Sequence, residues 1–216
     1  ALTTVLFYDI HRQTRESAAV AMLDARACFD RDLPAMSIPA CMKFGLPREA
    51  ALFLYRTLRQ FTYKVATGYG ISDGSFSTLQ NPDRPLQGYG QGLGSAPPGH
   101  VVIADIGNTA LTKHHPHAHL CHVDPELPPL RQQKSMFMDD TTLYANLVRL
   151  TKECRQRFGW SQHTTAAHIL QHLTRTYSRY LWTAGGCLNL SKCYWYFMQF
   201  YRQKNGNYAM LSLTQS

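Results

Sequence analysis

The sequence lacks the features of secreted and membrane-spanning proteins. Its six cysteines are widely spaced, without a Cys-x-x-Cys pair, and no signal-like segment precedes them, which argues against a disulfide framework. The longest apolar runs, such as residues 50–55, fall far short of the roughly 18 residues that a membrane span requires. We therefore expect a reduced, intracellular protein without membrane association.

Several catalytic and nucleotide-binding motifs are also missing. The glycine-rich segment 88–97 has no Gly-Lys-Ser/Thr ending, and its glycine spacing does not fit the dinucleotide fingerprint that follows a strand. No serine elbow or local cysteine signature accompanies Cys28, His11 or Ser17. These absences disfavour P-loop enzymes, dinucleotide-dependent enzymes and nucleophilic hydrolases.

Acidic residues are few. The chain of 216 residues has 14 Asp plus Glu against 22 Lys plus Arg, which gives a net charge of +8 with ten further His. The excess is scattered along the sequence, and this suits a polyphosphate backbone better than one small anion. An anionic partner, with nucleic acid among the candidates, is therefore favoured.

Hydrophobic periodicity predicts an α+β fold. A helix at 2–16 is followed by a buried strand at 18–23, by helices at 34–44 (interrupted at Pro39) and 47–60, and by a strand at 61–67. After the glycine-rich loop come a helix near 98–112, a hairpin over 134–145, helices at 146–158 and 162–183, and strands that continue through 207–213. This order predicts an antiparallel sheet with helices packed on one face.

Two adjacent acids lie in the predicted hairpin. Asp139 and Asp140 are flanked by apolar and aromatic residues, so burial is expected to raise their pKa values unless cations compensate. In a regular strand neighbours point to opposite faces, and both can reach one metal only if a tight turn bends the backbone. A solvated acidic turn is the alternative, and Mg²⁺ is the metal that oxygen ligands favour.

Two further segments carry candidate residues. Asp24 lies at the end of the first strand, with Phe29 five residues later and Asp30 after it, although Asp30 also suits a turn cap. In the glycine-rich loop, Gln91 is the one amide able to hydrogen-bond a base or sugar edge, and a purely structural turn is the alternative.

Taken in order, these segments resemble the reverse transcriptase family. The matching motifs are DARACFD at 24–30, GYGQGLGSAP at 88–97, FMDD at 137–140 and GCLNLSK at 186–192. The likeness covers essentially the whole chain and is nearest to the reverse-transcriptase-like open reading frames of eukaryotic non-viral retroelements. It implies an RNA-directed DNA polymerase palm with partial fingers, over residues 1–216, with a strand insertion near 61–90.

The resemblance also implies roles for individual residues. Asp24 and Asp139 would bind two Mg²⁺ or Mn²⁺ ions, with the Ala25 carbonyl assisting and Asp140 as an outer ligand. Lys192 would protonate pyrophosphate, or simply lie on the surface. The implied nucleotide contacts, with Phe29 as the aromatic gate against a ribose 2′-hydroxyl, are Arg26, Cys28, Phe29, Gln91 and Gly92.

The implied substrates are dNTPs and a primed RNA or DNA template. The sequence departs from the family at Ala96 and at Pro98-Gly99. The fingers region should precede Asp24 by far more than 23 residues, and a thumb is missing, so we expect these parts in a longer polypeptide.

Four alternatives remain open. A degenerate or domesticated retroelement remnant would bind nucleic acid without polymerising, and a metal-dependent nuclease would use the same three carboxylates. The run HHPHAHLCH at 114–122 could ligate Zn²⁺ or Cu²⁺, although a solvated loop is the simpler interpretation. The aromatic residues 194–197 and 200 could stack bases, but core packing is favoured because half of them must face inward.

Overall fold

The computed structural model describes residues 2–77, 88–90, 92–114, 120–121, 130–131, 134–137, 140–146, 156 and 162–210. The chain divides into two compact units. The first comprises residues 1–25, 108–179 and 188–216, and the second comprises residues 26–107 and 180–187.

Helices and short strands alternate along the described chain. The helices are α1 (Leu2–Thr14), α2 (Cys28–Arg31), α3 (Pro34–Lys43), α4 (Arg48–Gln60), α5 (Ala96–His114) and α6 (Gln162–Thr183), with a 3₁₀ helix at Leu190–Lys192. The strands are β1 (Ala18–Asp24), β2 (Thr62–Tyr63), β3 (Ala66–Thr67), β4 (Gly70–Ile71), β5 (Phe76–Ser77), β6 (Leu120–Cys121), β7 (Leu130–Arg131), β8 (Lys134–Phe137), β9 (Asp140–Asn146), β10 (Tyr194–Met198), β11 (Phe200–Arg202) and β12 (Tyr208–Met210).

The first unit is built on a four-stranded sheet in the order β10-β1-β9-β8, with every pair antiparallel. The sequence of β1, AAVAMLD, supplies small and apolar residues that are almost all buried, as expected for a central strand covered on both faces. Its register pairs Val20 with Tyr144 on β9 and with Tyr196 on β10.

Helix α1 covers one face of this sheet. Phe7 packs with Ala18, Val20, Tyr144 and Met198 in one buried cluster. Because full burial of a large apolar side chain contributes about 1.5–3 kcal/mol, this cluster accounts for the position of α1.

Helix α6 lies against the opposite face. The Thr141 and Tyr177 hydroxyls are 2.7 Å apart and buried, and residues 141 and 143 alternate with the residues that face α1. Leu170 and Leu173 are buried on the same helix. An α+β fold with an antiparallel sheet is therefore confirmed. The predicted packing of helices on one face is wrong, because α1 and α6 cover opposite faces of the sheet.

The second unit contains a separate core. Ile38 on α3 and Ala51 and Leu58 on α4 pack with Tyr89 and Ala96. The predicted interruption at Pro39 is wrong, because α3 continues through this proline to Lys43. The proline removes one backbone donor only a turn before the helix ends, and the neighbouring Ile38 and Ala40 stay buried.

The strand predicted at 61–67 is also only partly correct. This segment forms β2 and β3, which pair with β5 and β4 as two small exposed ladders. Its alternating pattern came from residues such as Tyr63 and Val65 that are exposed, so periodicity alone misplaced them. The helix predicted at 146–158 falls almost entirely outside the described residues, and Asn146 itself ends β9.

Within the described part of the chain, the helices lack the length and apolar character that crossing a membrane requires. The assignment of residues 1–216 to one reverse-transcriptase-like domain stays a prediction.

Candidate functional site

Two of the predicted metal-binding carboxylates lie opposite each other in the four-stranded sheet. Asp24 is the last residue of β1, Asp140 is the first residue of β9, and the two are cross-strand partners. Opposed residues of an antiparallel pair project from the same face, with Cβ atoms about 4.5–5.5 Å apart. Asp24 is half-buried and Asp140 is exposed, so ions from solvent can reach the pair.

This pair of carboxylates suits a hard divalent cation. Like charges directly opposite each other destabilise a sheet, and a bound cation would remove that repulsion. Carboxylate oxygens are the ligands that Mg²⁺ and Mn²⁺ prefer. Asp24 and Asp140 are therefore suited to hold such an ion.

The fourth sequence motif lies beside the same strand end. The Asn189 N–H donates to the Asp24 carbonyl over 2.9 Å, and the buried Ala25 pairs with Leu188 in an isolated antiparallel bridge. Lys192 ends the 3₁₀ helix that follows and is exposed. The first, third and fourth motifs therefore meet at the end of the sheet where β1 stops.

Two predicted site residues, Asp139 and Gln91, lie outside the described residues, as does Met138. The strands on either side of 138–139 are paired, with Phe137 opposite Asp140, so the predicted acidic hairpin is confirmed. The roles of Asp139 and Gln91 stay predictions.

In the second unit, the glycine-rich loop packs directly on the turn that contains Phe29. The Tyr89 N–H donates to the Phe29 carbonyl over 2.8 Å. A Cβ at Gly88 would lie 2.1 Å from that same carbonyl oxygen, so only glycine fits there. Burial raises the pKa of Tyr89 above its usual value, which keeps its phenol neutral where it hydrogen-bonds Ser37.

The other predicted nucleotide contacts differ in accessibility. Arg26 and Gly92 are exposed, and Gly92 has a φ of +92° that favours glycine. Phe29 is half-buried, with its ring edge to face against His100 at 5.7 Å between centroids. The Cys28 thiol is buried, so a contact from its side chain to a nucleotide is the least accessible of those predicted.

The sequence analysis missed a buried group of potential metal ligands in the second unit. Cys28, Asp32 and His100 place one ligand atom each within 4.8 Å of the others. The signal for the first two was their spacing of four residues, which places them on one side of a helical turn. His100 is 68 residues beyond Asp32 in the sequence, and nothing in the local pattern connects it to them.

A pocket of about 500 Å³ opens in the first unit between the sheet and α6. Tyr194 and Trp195 line it and are 55 % and 60 % exposed. The interpretation of the aromatic cluster as core is therefore wrong for these two residues, because β10 is an edge strand of the sheet. Met198 at the other end of β10 is buried.

The histidine-rich run is described only in part. His114 ends α5, and Cys121 belongs to β6, which pairs with β7. The other ligand candidates of this run lie outside the described residues, and a metal site there stays untested.

Comparison with known proteins gives a distant structural likeness and no sequence match. No family model and no curated protein matches the chain. Among solved structures, a telomerase from Candida tropicalis, in complex with a TWJ fragment of telomeric RNA, is similar at 11 % identity and a TM-score of 0.49. The match covers 90 % of this chain and 28 % of the telomerase chain, so this chain spans under a third of that protein's length.

Proposed function

We propose that this chain is the palm-centred core of an RNA-directed DNA polymerase, which adds dNTPs to a primer 3′-hydroxyl by two-metal-ion nucleotidyl transfer. The observation that carries the proposal is the cross-strand pairing of Asp24 with Asp140. A polymerase of this class needs clustered, ion-accessible carboxylates on a rigid sheet. Neighbouring acids at the end of a central strand meet that need.

A second observation supports the same function. Within the first unit, Asp24 pairs with Asp140 and its carbonyl accepts from the Asn189 N–H, so the first, third and fourth motifs are in contact there. Within the second unit, the Tyr89 N–H of the glycine-rich loop donates to the Phe29 carbonyl of the first motif. Motifs that were linked only by their order in the sequence therefore make direct contacts. Such contacts are expected if the motifs serve one reaction.

The residues have distinct tasks in the proposed reaction. Asp24, with Asp139 and Asp140, would hold the divalent ions, and such ions would supply activation of the primer hydroxyl and charge stabilisation for the departing pyrophosphate. The sheet fixes Asp24 and Asp140 in position, and such positioning would supply much of the rate. Lys192, exposed beside the same strand end, is suited to donate a proton to pyrophosphate.

The proposed nucleotide contacts are Phe29, Arg26 and the Gln91-Gly92 segment. Phe29 excludes a ribose 2′-hydroxyl by its bulk, and the Gln91-Gly92 segment contacts the incoming base and sugar. Arg26 is an exposed cation suited to the triphosphate. The net charge of +8 favours binding of a template backbone.

The test is primer extension on a primed RNA template with Mg²⁺ or Mn²⁺. We expect Asp24→Asn to lower extension by at least on the order of 10²–10³-fold, as loss of one charge-stabilising group does in other active sites. The exposed Asp9 on α1 provides a matched control, and Asp9→Asn should extend like the unmodified chain.

The other outcomes separate the rival functions. Cleavage of nucleic acid without dNTP would indicate a nuclease. Template binding without extension in the presence of Mg²⁺ or Mn²⁺, by a chain extended through its native upstream region, would indicate a non-polymerising remnant. Extension that persists in Asp24→Asn would exclude the proposed role of the carboxylate pair.

A further inference from the structure

The group formed by Cys28, Asp32 and His100 is compact and buried. The Cys28 sulfur lies 3.1 Å from His100 Nδ1 and 3.4 Å from Nε2, and Asp32 Oδ2 lies 2.7 Å from Nδ1. All three residues are less than 10 % exposed, and Asp32 is only 2 % exposed. A buried carboxylate is costly unless a cation or hydrogen bonds compensate it.

The local structure explains how these side chains come together. Cys28 begins α2 and Asp32 caps its C-terminus, where the Asp32 N–H donates to the Cys28 carbonyl over 3.1 Å. His100 is in the second turn of α5. Gly99, just before it, is so close to the Tyr89 ring that a Cβ would lie 2.5 Å from it, and this close approach holds α5 in place within the second unit.

The separations are close to those of a tetrahedral zinc site. Zinc binds sulfur at about 2.3 Å, nitrogen at about 2.0–2.1 Å and carboxylate oxygen at about 2.0–2.2 Å. At tetrahedral angles, these bonds place sulfur and nitrogen about 3.6 Å apart and oxygen and nitrogen about 3.3 Å apart. The observed sulfur–nitrogen distance of 3.1 Å and oxygen–nitrogen distance of 2.7 Å would have to widen by about 0.5 and about 0.6 Å to reach these values.

The same three residue types could also form a nucleophile, base and orienting acid, but the geometry disfavours catalysis. The sulfur is almost equidistant from the two ring nitrogens, so it does not point at one basic nitrogen. Asp32 occupies the nitrogen that is nearer to the sulfur. The buried thiol also lacks the partial exposure of a reactive cysteine.

We propose that Cys28, Asp32 and His100 form a zinc-binding site that joins the α2 turn to α5. Mixed sulfur, nitrogen and oxygen donors favour Zn²⁺ over Mg²⁺ or Ca²⁺, which take oxygen ligands. Three protein ligands leave a fourth position for water. Binding requires the thiolate, so the Cys28 thiol releases its proton to solvent as the metal enters.

The site has a consequence for the neighbouring turn. The Phe29 ring packs edge to face on His100, so a metal that fixes the imidazole also fixes the surface on which Phe29 rests. The inference does not depend on the polymerase proposal, because zinc would stabilise the second unit whether or not the chain polymerises nucleotides.

Cobalt(II) added to the metal-free chain is the direct test. Thiolate ligation gives a sulfur-to-cobalt charge-transfer absorption, and we expect this band at one equivalent of cobalt and its displacement by zinc. Zinc should also raise the midpoint of thermal unfolding, because a ligand that binds only the folded state stabilises it. Both effects should disappear in Cys28→Ser. In Asp32→Asn, the affinity of the chain for cobalt and zinc should fall at least tenfold.

The control addresses the histidine-rich run, which contains the competing thiol Cys121. Cys121→Ser should keep the cobalt band and the zinc-induced shift in melting. A band that survives Cys28→Ser but disappears in Cys121→Ser would place the metal in that run and overturn the proposal. Absence of the band in a folded, reduced chain would overturn it as well, and circular dichroism of each variant verifies folding.

Discussion

Replacement of Asp140 by Asn should separate the stability of the metal-free sheet from its metal binding. Asp140 faces Asp24 across the β1–β9 ladder. Two unit charges about 5 Å apart in a water-like dielectric repel by about 0.8 kcal/mol, and a water-like value suits the exposed Asp140. Without divalent ions, we therefore expect Asp140→Asn to raise the free energy of unfolding by about 0.5–1 kcal/mol.

Addition of Mg²⁺ or Mn²⁺ should make the unmodified chain more stable to unfolding than Asp140→Asn. A ligand at ten times its Kd stabilises the folded state by about 1.4 kcal/mol, and this gain should belong mainly to the unmodified chain. Urea unfolding at low ionic strength, with and without millimolar Mg²⁺ or Mn²⁺, measures both effects. In about 1 M salt the difference without divalent ions should shrink, because the Debye length falls to about 3 Å.

Two results would refute this reasoning. If Asp140→Asn destabilises the chain without divalent ions, the two carboxylates do not repel each other as the register implies. If the variant keeps the full metal-induced stabilisation, Asp140 does not contribute to the ion site. Asp9→Asn removes one exposed charge elsewhere and should change neither quantity.

Two further predictions concern the fold. Gly88→Ala should lower the free energy of unfolding by about 2–4 kcal/mol, since the new Cβ would meet the Phe29 carbonyl oxygen at 2.1 Å. Gly94→Ala is the control and should be near neutral, because a Cβ there has nothing within 4 Å. Equal effects of the two substitutions in urea unfolding would contradict the placement of the glycine-rich loop. Burial lowers the pKa of His11, so its contribution to stability is full above about pH 6.5 and is lost as the pH falls. His11→Gln should therefore flatten the acid side of the stability profile. An acid side that stays as steep in His11→Gln would argue against a neutral buried His11.

The sequence predicted the parts of the site that depend on local pattern. The buried run before Asp24 and the apolar flanks of the acidic pair were enough to place a strand end and a hairpin. The cross-strand partnership of Asp24 and Asp140 needed the register, which depends on long-range pairing between segments more than 100 residues apart. Hydrophobic alternation gives the face of a strand and does not give its partner.

Other features could not be predicted because tertiary contacts decide them. His100 reaches Cys28 and Asp32 only through the packing of α5. Pro39 stays within α3 because neighbouring residues are buried, which outweighs its local cost. The exposure of Trp195 follows from the position of β10 at the edge of the sheet. The run of aromatic residues alone does not reveal whether its strand is central or at the edge.

That edge position has a practical consequence for the protein in solution. Within the described residues, β10 pairs on one side only, with β1. Its sequence, YWYFM, carries no charge and no proline, which are the devices that usually keep an edge strand from pairing with another molecule. An uncovered edge strand of this kind favours pairing between copies of the chain at high concentration, and dilution should reduce that association.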